Sequence, residues 1–169
     1  MKKIGILIEN QFDEQELIYP YHRLRENFEV ILIGSKADTE YTSKSGLKFR
    51  SDIASSDVNP KEIGGLIIPG GFSPDYMRRC DATIALVKKL NEQNTLIGAI
   101  CHGPWVLASA IDLKDLDITS FYSIKDDLIN AGANWIDKEV VRSQNIITAR
   151  TPKDLPKFML KFLSAINFV

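Results

Sequence analysis

The sequence is poor in the residues that staple or metallate a fold: it has two cysteines, Cys80 and Cys101, and two histidines, His22 and His102. Two cysteines make neither a disulfide framework nor a zinc site, and the cytoplasm is the expected compartment. A formal net charge of -1 provides no basic field with which to hold a nucleic acid or an anionic membrane. The chain also lacks a Gly-rich phosphate loop ending in Lys-Ser/Thr. Neither a metal nor any other cofactor is expected. The N-terminus superficially suggests a signal peptide, but its apolar run, residues 4–8, stops at Glu9. That is too short for a signal-peptide core or a membrane span, and a buried first strand is the better reading. There is no internal repeat, linker or low-complexity tract.

What is present fits one α/β domain over residues 1–169, with 44% hydrophobic and 25% charged residues and length enough to bury a core. Short apolar runs at 4–8, 30–33, 66–68, 96–100 and 146–148 predict strands. Several are apolar at successive positions, as strands covered on both faces of a parallel sheet are. Between them, residues 13–26, 82–91, 103–110 and 154–167 predict helices. Asp13 and Glu16 are spaced as a capping pair, and Pro20 predicts a kink or a late start in the first helix. Residues 40–50, with Ser45-Gly46 inside, predict a small added β-hairpin. The expected architecture is a doubly wound, mostly parallel sheet with helices on both faces.

Ligands bind beyond the carboxyl ends of the strands in such sheets. Glu9, Asn10, Asp13 and Glu16 follow the first strand, Pro69-Gly70-Gly71 follow residues 66–68, and Cys101-His102 follow residues 96–100. Ser120-Phe121-Tyr122 follow a weaker strand at 117–119, and Arg150-Thr151-Pro152 follow the last one. Cys101 stands between an apolar strand and a helix opening at Gly103-Pro104. The small residues Gly98, Ala99 and Gly103 allow the sharp elbow that presents nucleophiles. The helix terminus there is expected to lower the thiol pKa.

With only two histidines, an imidazole base must be His102 or His22. His102 is the adjacent choice, whereas His22, in Tyr19-Pro20-Tyr21-His22-Arg23, reads as a surface or interface residue. Glu16 has two readings, a first-turn acid that complements the helix dipole or a buried carboxyl that holds a proton beside the Cys101 sulfur. Asp75 is likewise either a helix cap or an acid that orients His102. Cys80 reads as incidental.

Ala99-Ile100-Cys101-His102-Gly103-Pro104 with the upstream Ile68-Pro69-Gly70-Gly71 resembles the PfpI family of intracellular proteases. That family lies in the superfamily of the parkinsonism-associated protein deglycase, with a flavodoxin-like, class I glutamine-amidotransferase-like fold. Asp13-Glu14-Gln15-Glu16-Leu17, Ser73-Pro74-Asp75-Tyr76, Asn130-Ala131-Gly132-Ala133 and Thr151-Pro152-Lys153-Asp154-Leu155-Pro156 extend the resemblance over nearly the full length. The resemblance implies Cys101 as nucleophile, Glu16 as the acid bonded to its sulfur, and His102 as its imidazole partner. It also implies an oxyanion hole from the amides around Gly70-Gly71 and after Cys101. Asp75 would reach His102 from a neighbouring subunit of a dimer or hexamer, although Glu is usual there. Phe121 replaces a site Tyr, whose hydroxyl only Tyr122 could supply. The implied activities are glyoxalase or deglycase action on a small carbonyl substrate in stress protection, or cysteine peptidase action on a peptide. The non-enzymatic reading is a redox sensor or stress chaperone.

Overall fold

The structure, a computed structural model, describes residues 3–166. The elements run β1 (Lys3–Leu7), α1 (Glu14–Arg25), β2 (Val30–Gly34), β3 (Glu40–Thr42), β4 (Lys48–Arg50), β5 (Ile53–Ala54) and β6 (Ile63–Ile68). They continue with α2 (Ser73–Arg78), α3 (Asp81–Glu92), β7 (Leu96–Ile100), α4 (Pro104–Ala110), β8 (Asp117–Ile118) and α5 (Lys125–Asn130). Last come β9 (Asn134–Trp135), β10 (Val140–Ser143), β11 (Ile146–Ala149) and α6 (Leu155–Ile166). The main sheet has seven strands in the order β10-β11-β7-β6-β1-β2-β5. Every pairing in it is parallel except β10 with β11.

Alternation along the strands divides the core between two faces. Ile4, Ile6 and Ile8 join Leu17 and Leu24 of α1 and Phe158 and Phe162 of α6 in one apolar layer. Leu7 belongs with Leu86 and Val87 of α3 and Val106 and Leu107 of α4 in the other. This is the doubly wound mixed sheet expected, with the 40–50 hairpin as β3 and β4. Among the described residues, no helix is long and apolar enough to cross a membrane.

Several local expectations need correction. Pro20 does not delay α1, which starts at Glu14 and runs through it. Asp13 caps that helix, accepting from the amides of Gln15 at 3.0 Å and Glu16 at 3.3 Å. Glu16 does not return the bond as a capping pair would; its carboxylate turns inward instead. The 117–119 strand shortens to β8 and pairs with β9 in a separate two-stranded sheet. Asp154 lies in a 3-10 turn ahead of α6, and the expected helix end at Asn167 falls outside the described residues.

The chain winds outward from β1 through β2 to β5, then crosses back to β6 on the other side of β1. The crevice at that reversal opens at the carboxyl ends of β1 and β6, where an open α/β sheet binds its ligand.

Candidate functional site

Three strand ends build the crevice. Cys101 follows β7 directly and adopts φ 61°, the left-handed conformation that a side chain rarely takes. Its backbone is pinned there: the Cys101 amide donates to the Ala149 carbonyl at 3.0 Å, and the Phe121 amide donates to the Cys101 carbonyl at 2.8 Å. The elbow brings two adjacent side chains together that a regular helix would splay about 100° apart. Nδ1 of His102 lies 3.4 Å from Sγ of Cys101. The imidazole is stacked on Phe121 with centroids 5.1 Å apart and meets Trp105 edge-on at 5.8 Å. Its other nitrogen, Nε2, lies 3.0 Å from Oγ of Ser123.

Glu16 comes from the first turn of α1 and is fully buried. One carboxyl oxygen, Oε2, accepts from the Gly70 amide at 2.6 Å. The other, Oε1, is buried with no hydrogen bond to another nitrogen or oxygen among the described residues, and the carboxyl shares a side-chain hydrogen bond with the Cys101 thiol. Gly70 must be glycine for this approach: a Cβ would stand 2.6 Å from Oε2 and 2.9 Å from Cβ of Cys101. Gly71 follows at φ 67°. The oxyanion-hole expectation is thereby corrected in part. The Gly70 amide is taken by Glu16, while those of His102 and Gly71 act on the Cys101 sulfur.

Burial, and next the charge of Asp13, push the Glu16 carboxyl up to about 8. It is therefore protonated near neutral pH, a buried carboxyl that also lies in the first turn of α1. Burial, then the carboxylate charge of Glu16, push the Cys101 thiol above its ordinary value, against the pull of the His102 and Gly71 amides. This overturns the expected lowering: α4 is only seven residues long and the sulfur sits out of water beside an acid. Burial, helped by the charge of Lys44, keeps His102 below its ordinary value and so neutral.

A cavity of about 440 Å³ opens over these groups, with Glu16, Lys44, Phe72, Cys101, His102 and Phe121 in its lining. Lys44, from the hairpin turn, pairs with Asp13 at 2.7 Å. Sequence reasoning missed both Lys44 and Ser123. A lysine at a hairpin tip and a serine in a 3-10 turn carry no local signal. Only the tertiary packing of their segments brings them to the crevice.

The other candidates lie apart. Asp75 sits within α2, ion-paired to Arg79 one turn on. It does not cap that helix, whose N-cap is Phe72 with no side-chain bond, and in its own chain it is absent from the lining around Cys101. Tyr122 is 74% exposed and lines a smaller neighbouring pocket with Trp135, so its hydroxyl does not stand in for a Tyr at Phe121. His22 lies in a larger, more open groove of about 570 Å³ between α1 and the start of α6, outside the Cys101 cavity. Cys80 precedes α3, also outside it. Among the described residues, no group of three or more His, Cys, Asp or Glu side chains is placed to hold a metal ion.

Residues 2–165 match the DJ-1/PfpI family. The deglycase PfpI of Pyrococcus furiosus is 39% identical over 165 residues, 98% of this chain and 99% of that protein. A provisionally named cysteine protease of Bacillus subtilis, YraA, is 44% identical over 167 residues, 98% of this chain and 99% of its own. A two-domain protein of Anabaena variabilis, with DJ-1/ThiJ/PfpI-like and ferritin-like domains, superposes with a TM-score of 0.96 at 37% identity. That match covers 99% of this chain but only 48% of the Anabaena protein.

Proposed function

The chain belongs to the DJ-1/PfpI family, and from that premise we propose that it is a cysteine-nucleophile enzyme acting on small reactive dicarbonyls, as a glyoxalase or deglycase. The observation that carries this reading is the meeting of three groups in one cavity: a buried thiol, an imidazole nitrogen 3.4 Å away, and a carboxyl protonated near neutral pH.

Those groups match the needs of addition to an aldehyde. Nδ1 of His102 takes the thiol proton as Sγ forms a bond to the carbonyl carbon, and the carbonyl π pair moves onto oxygen, where a proton from Glu16 completes a hemithioacetal. The amides of His102 and Gly71 favour negative charge on the sulfur before attack. Transfer of the proton from the hemithioacetal carbon to its neighbour, with the hydroxyl proton passing to the former ketone oxygen, gives a thioester of a 2-hydroxy acid. Water then cleaves the thioester and returns the thiol. Methylglyoxal plus water becomes lactate, with no oxidant or reductant required. The deglycase names among the relatives support this substrate class.

Cysteine peptidase action is the second reading, favoured by the name of the Bacillus relative. One comparison separates the two: methylglyoxal and an unstructured protein such as casein are each offered to the wild type and to Cys101→Ser. The wild type is expected to form lactate and Cys101→Ser none. Casein cleavage with methylglyoxal untouched would overturn the dicarbonyl reading in favour of peptidase action. Undiminished turnover by Cys101→Ser would overturn both.

A further inference from the structure

Both nitrogens of the His102 imidazole have a partner inside the chain. Nδ1 faces Sγ of Cys101 at 3.4 Å and Nε2 faces Oγ of Ser123 at 3.0 Å. Ser123 lies in the 3-10 turn Tyr122–Ile124, immediately after Phe121. That neighbour stacks on the imidazole and donates its amide to the Cys101 carbonyl at 2.8 Å. One short segment thus fixes the elbow, the stacking ring and the hydroxyl together.

We propose that Ser123 is a positioning residue for His102: its Oγ accepts the Nε2–H and leaves Nδ1 bare as the base that faces the Cys101 thiol. A neutral imidazole carries one donor and one acceptor nitrogen, so the partner of one nitrogen decides the role of the other. A hydroxyl can serve in either sense. Here the opposite side decides: Nδ1 faces the thiol at 3.4 Å, and an Nδ1 that is to accept its proton leaves the ring's own proton on Nε2. Burial keeps the ring neutral and the thiol protonated, the two states such a pairing requires. The charged groups around the ring are few. Lys44 acts on it across the cavity, and Asp127 is taken by the Trp105 indole N–H at 2.8 Å.

In the step itself the S–H bond breaks, the proton moves to Nδ1, and the sulfur pair forms the S–C bond. The imidazolium then holds both protons, with Oγ still accepting the one on Nε2. A carboxylate in the place of Ser123 would do the same with a full charge. A neutral hydroxyl fixes the tautomer with a smaller stabilisation of the cation.

This inference rests on Cys101 being the attacking thiol, and its test uses no carbonyl substrate, so it can fail or succeed independently of the dicarbonyl reading. The tautomer of His102 is read by long-range nitrogen-15 NMR of the imidazole near neutral pH, with His22 as the internal reference. Alkylation of Cys101 by iodoacetamide is followed in parallel by peptide mass spectrometry. The wild type is expected to carry its proton on Nε2. Ser123→Ala is expected to mix the tautomers and slow alkylation of Cys101 by about tenfold, while Ser123→Thr restores both. A wild-type proton on Nδ1, or an Ala variant with unchanged tautomer and alkylation, overturns the assignment. A Thr variant that behaves like Ala overturns it too, since the effect would then belong to packing.

Discussion

A carboxyl buried beside another acid binds its proton more tightly in the folded chain than in the unfolded one, and Glu16 is so placed. Its folded value of about 8 lies above the ordinary 4.5. Its contribution therefore favours folding below pH 4.5 and is withdrawn as pH rises toward 8. The loss is at most about 1.4 kcal/mol per pH unit. Melting temperatures measured across that range should fall more steeply for the wild type than for Glu16→Gln, whose amide does not titrate. Equal slopes would mean that Glu16 is not held protonated. The same substitution removes the charge that raises the thiol, so the pH midpoint of Cys101 alkylation should move down from a wild-type value above that of an exposed thiol. At Gly70, an added methyl would press on Glu16 and Cys101. Gly70→Ala should lose about 1–3 kcal/mol of stability, measured by urea unfolding, and most of its turnover with it. That Cys101 and His102 meet in the crevice was legible in the sequence because the elbow motif and the strand end point at them, whereas Glu16 kept two readings open. The role of the Gly70 amide was not legible, since it depends on which way the Glu16 side chain turns after the helix has formed.

At the scale of elements, α1 is organised around its first turn. Asp13 caps the helix, pairs with Lys44 of the hairpin turn, and raises the Glu16 carboxyl by its charge. Glu14 beside it accepts from the amide of Ser45 at 2.8 Å, which ties the same turn down a second time. Two substitutions separate these roles. Asp13→Ala should cost about 1 kcal/mol through the lost cap. Asp13→Ser keeps a capping oxygen and should recover most of that stability. Both variants, lacking the charge, should lower the pH at which Glu16 titrates, followed by carbon-13 NMR of its carboxyl. If both leave that titration in place, the coupling between the two acids is refuted. The strands were legible because their apolar runs are continuous, and the longer helices because their periodicity is. By contrast, α2 and α5 span six residues each, and β5 and β9 two. Elements so short owe their existence to neighbours rather than to their own pattern.

For the molecule as a whole, we propose a homo-oligomer in which Asp75 faces the site of a neighbouring chain. The half-buried Asp75, bound to Arg79 at the surface, reaches nothing in its own cavity. Gel filtration should show at least a dimer. Asp75→Ala should remain folded with lowered turnover. Mixing it with Cys101→Ser after dissociation and reassociation should return part of the activity. No recovery in mixed oligomers verified by mass spectrometry would leave Asp75 as a surface partner of Arg79. Order of assembly was not legible, because an interface is a property of surfaces and periodicity reports on the interior.

The crevice draws on residues 16, 70, 71, 101, 102 and 123, carried by connections brought together by parallel pairing of β1 with β6 and β6 with β7 and by the bond from the Phe121 amide to the Cys101 carbonyl. Such pairings join segments distant in the chain and form late relative to local turns. During synthesis, then, a growing chain that has already exposed Cys101 holds an ordinary thiol, with no imidazole fixed beside it and no buried acid. The surroundings of the sulfur are thus assembled by the closing of the sheet, and an unfinished or misfolded copy lacks them.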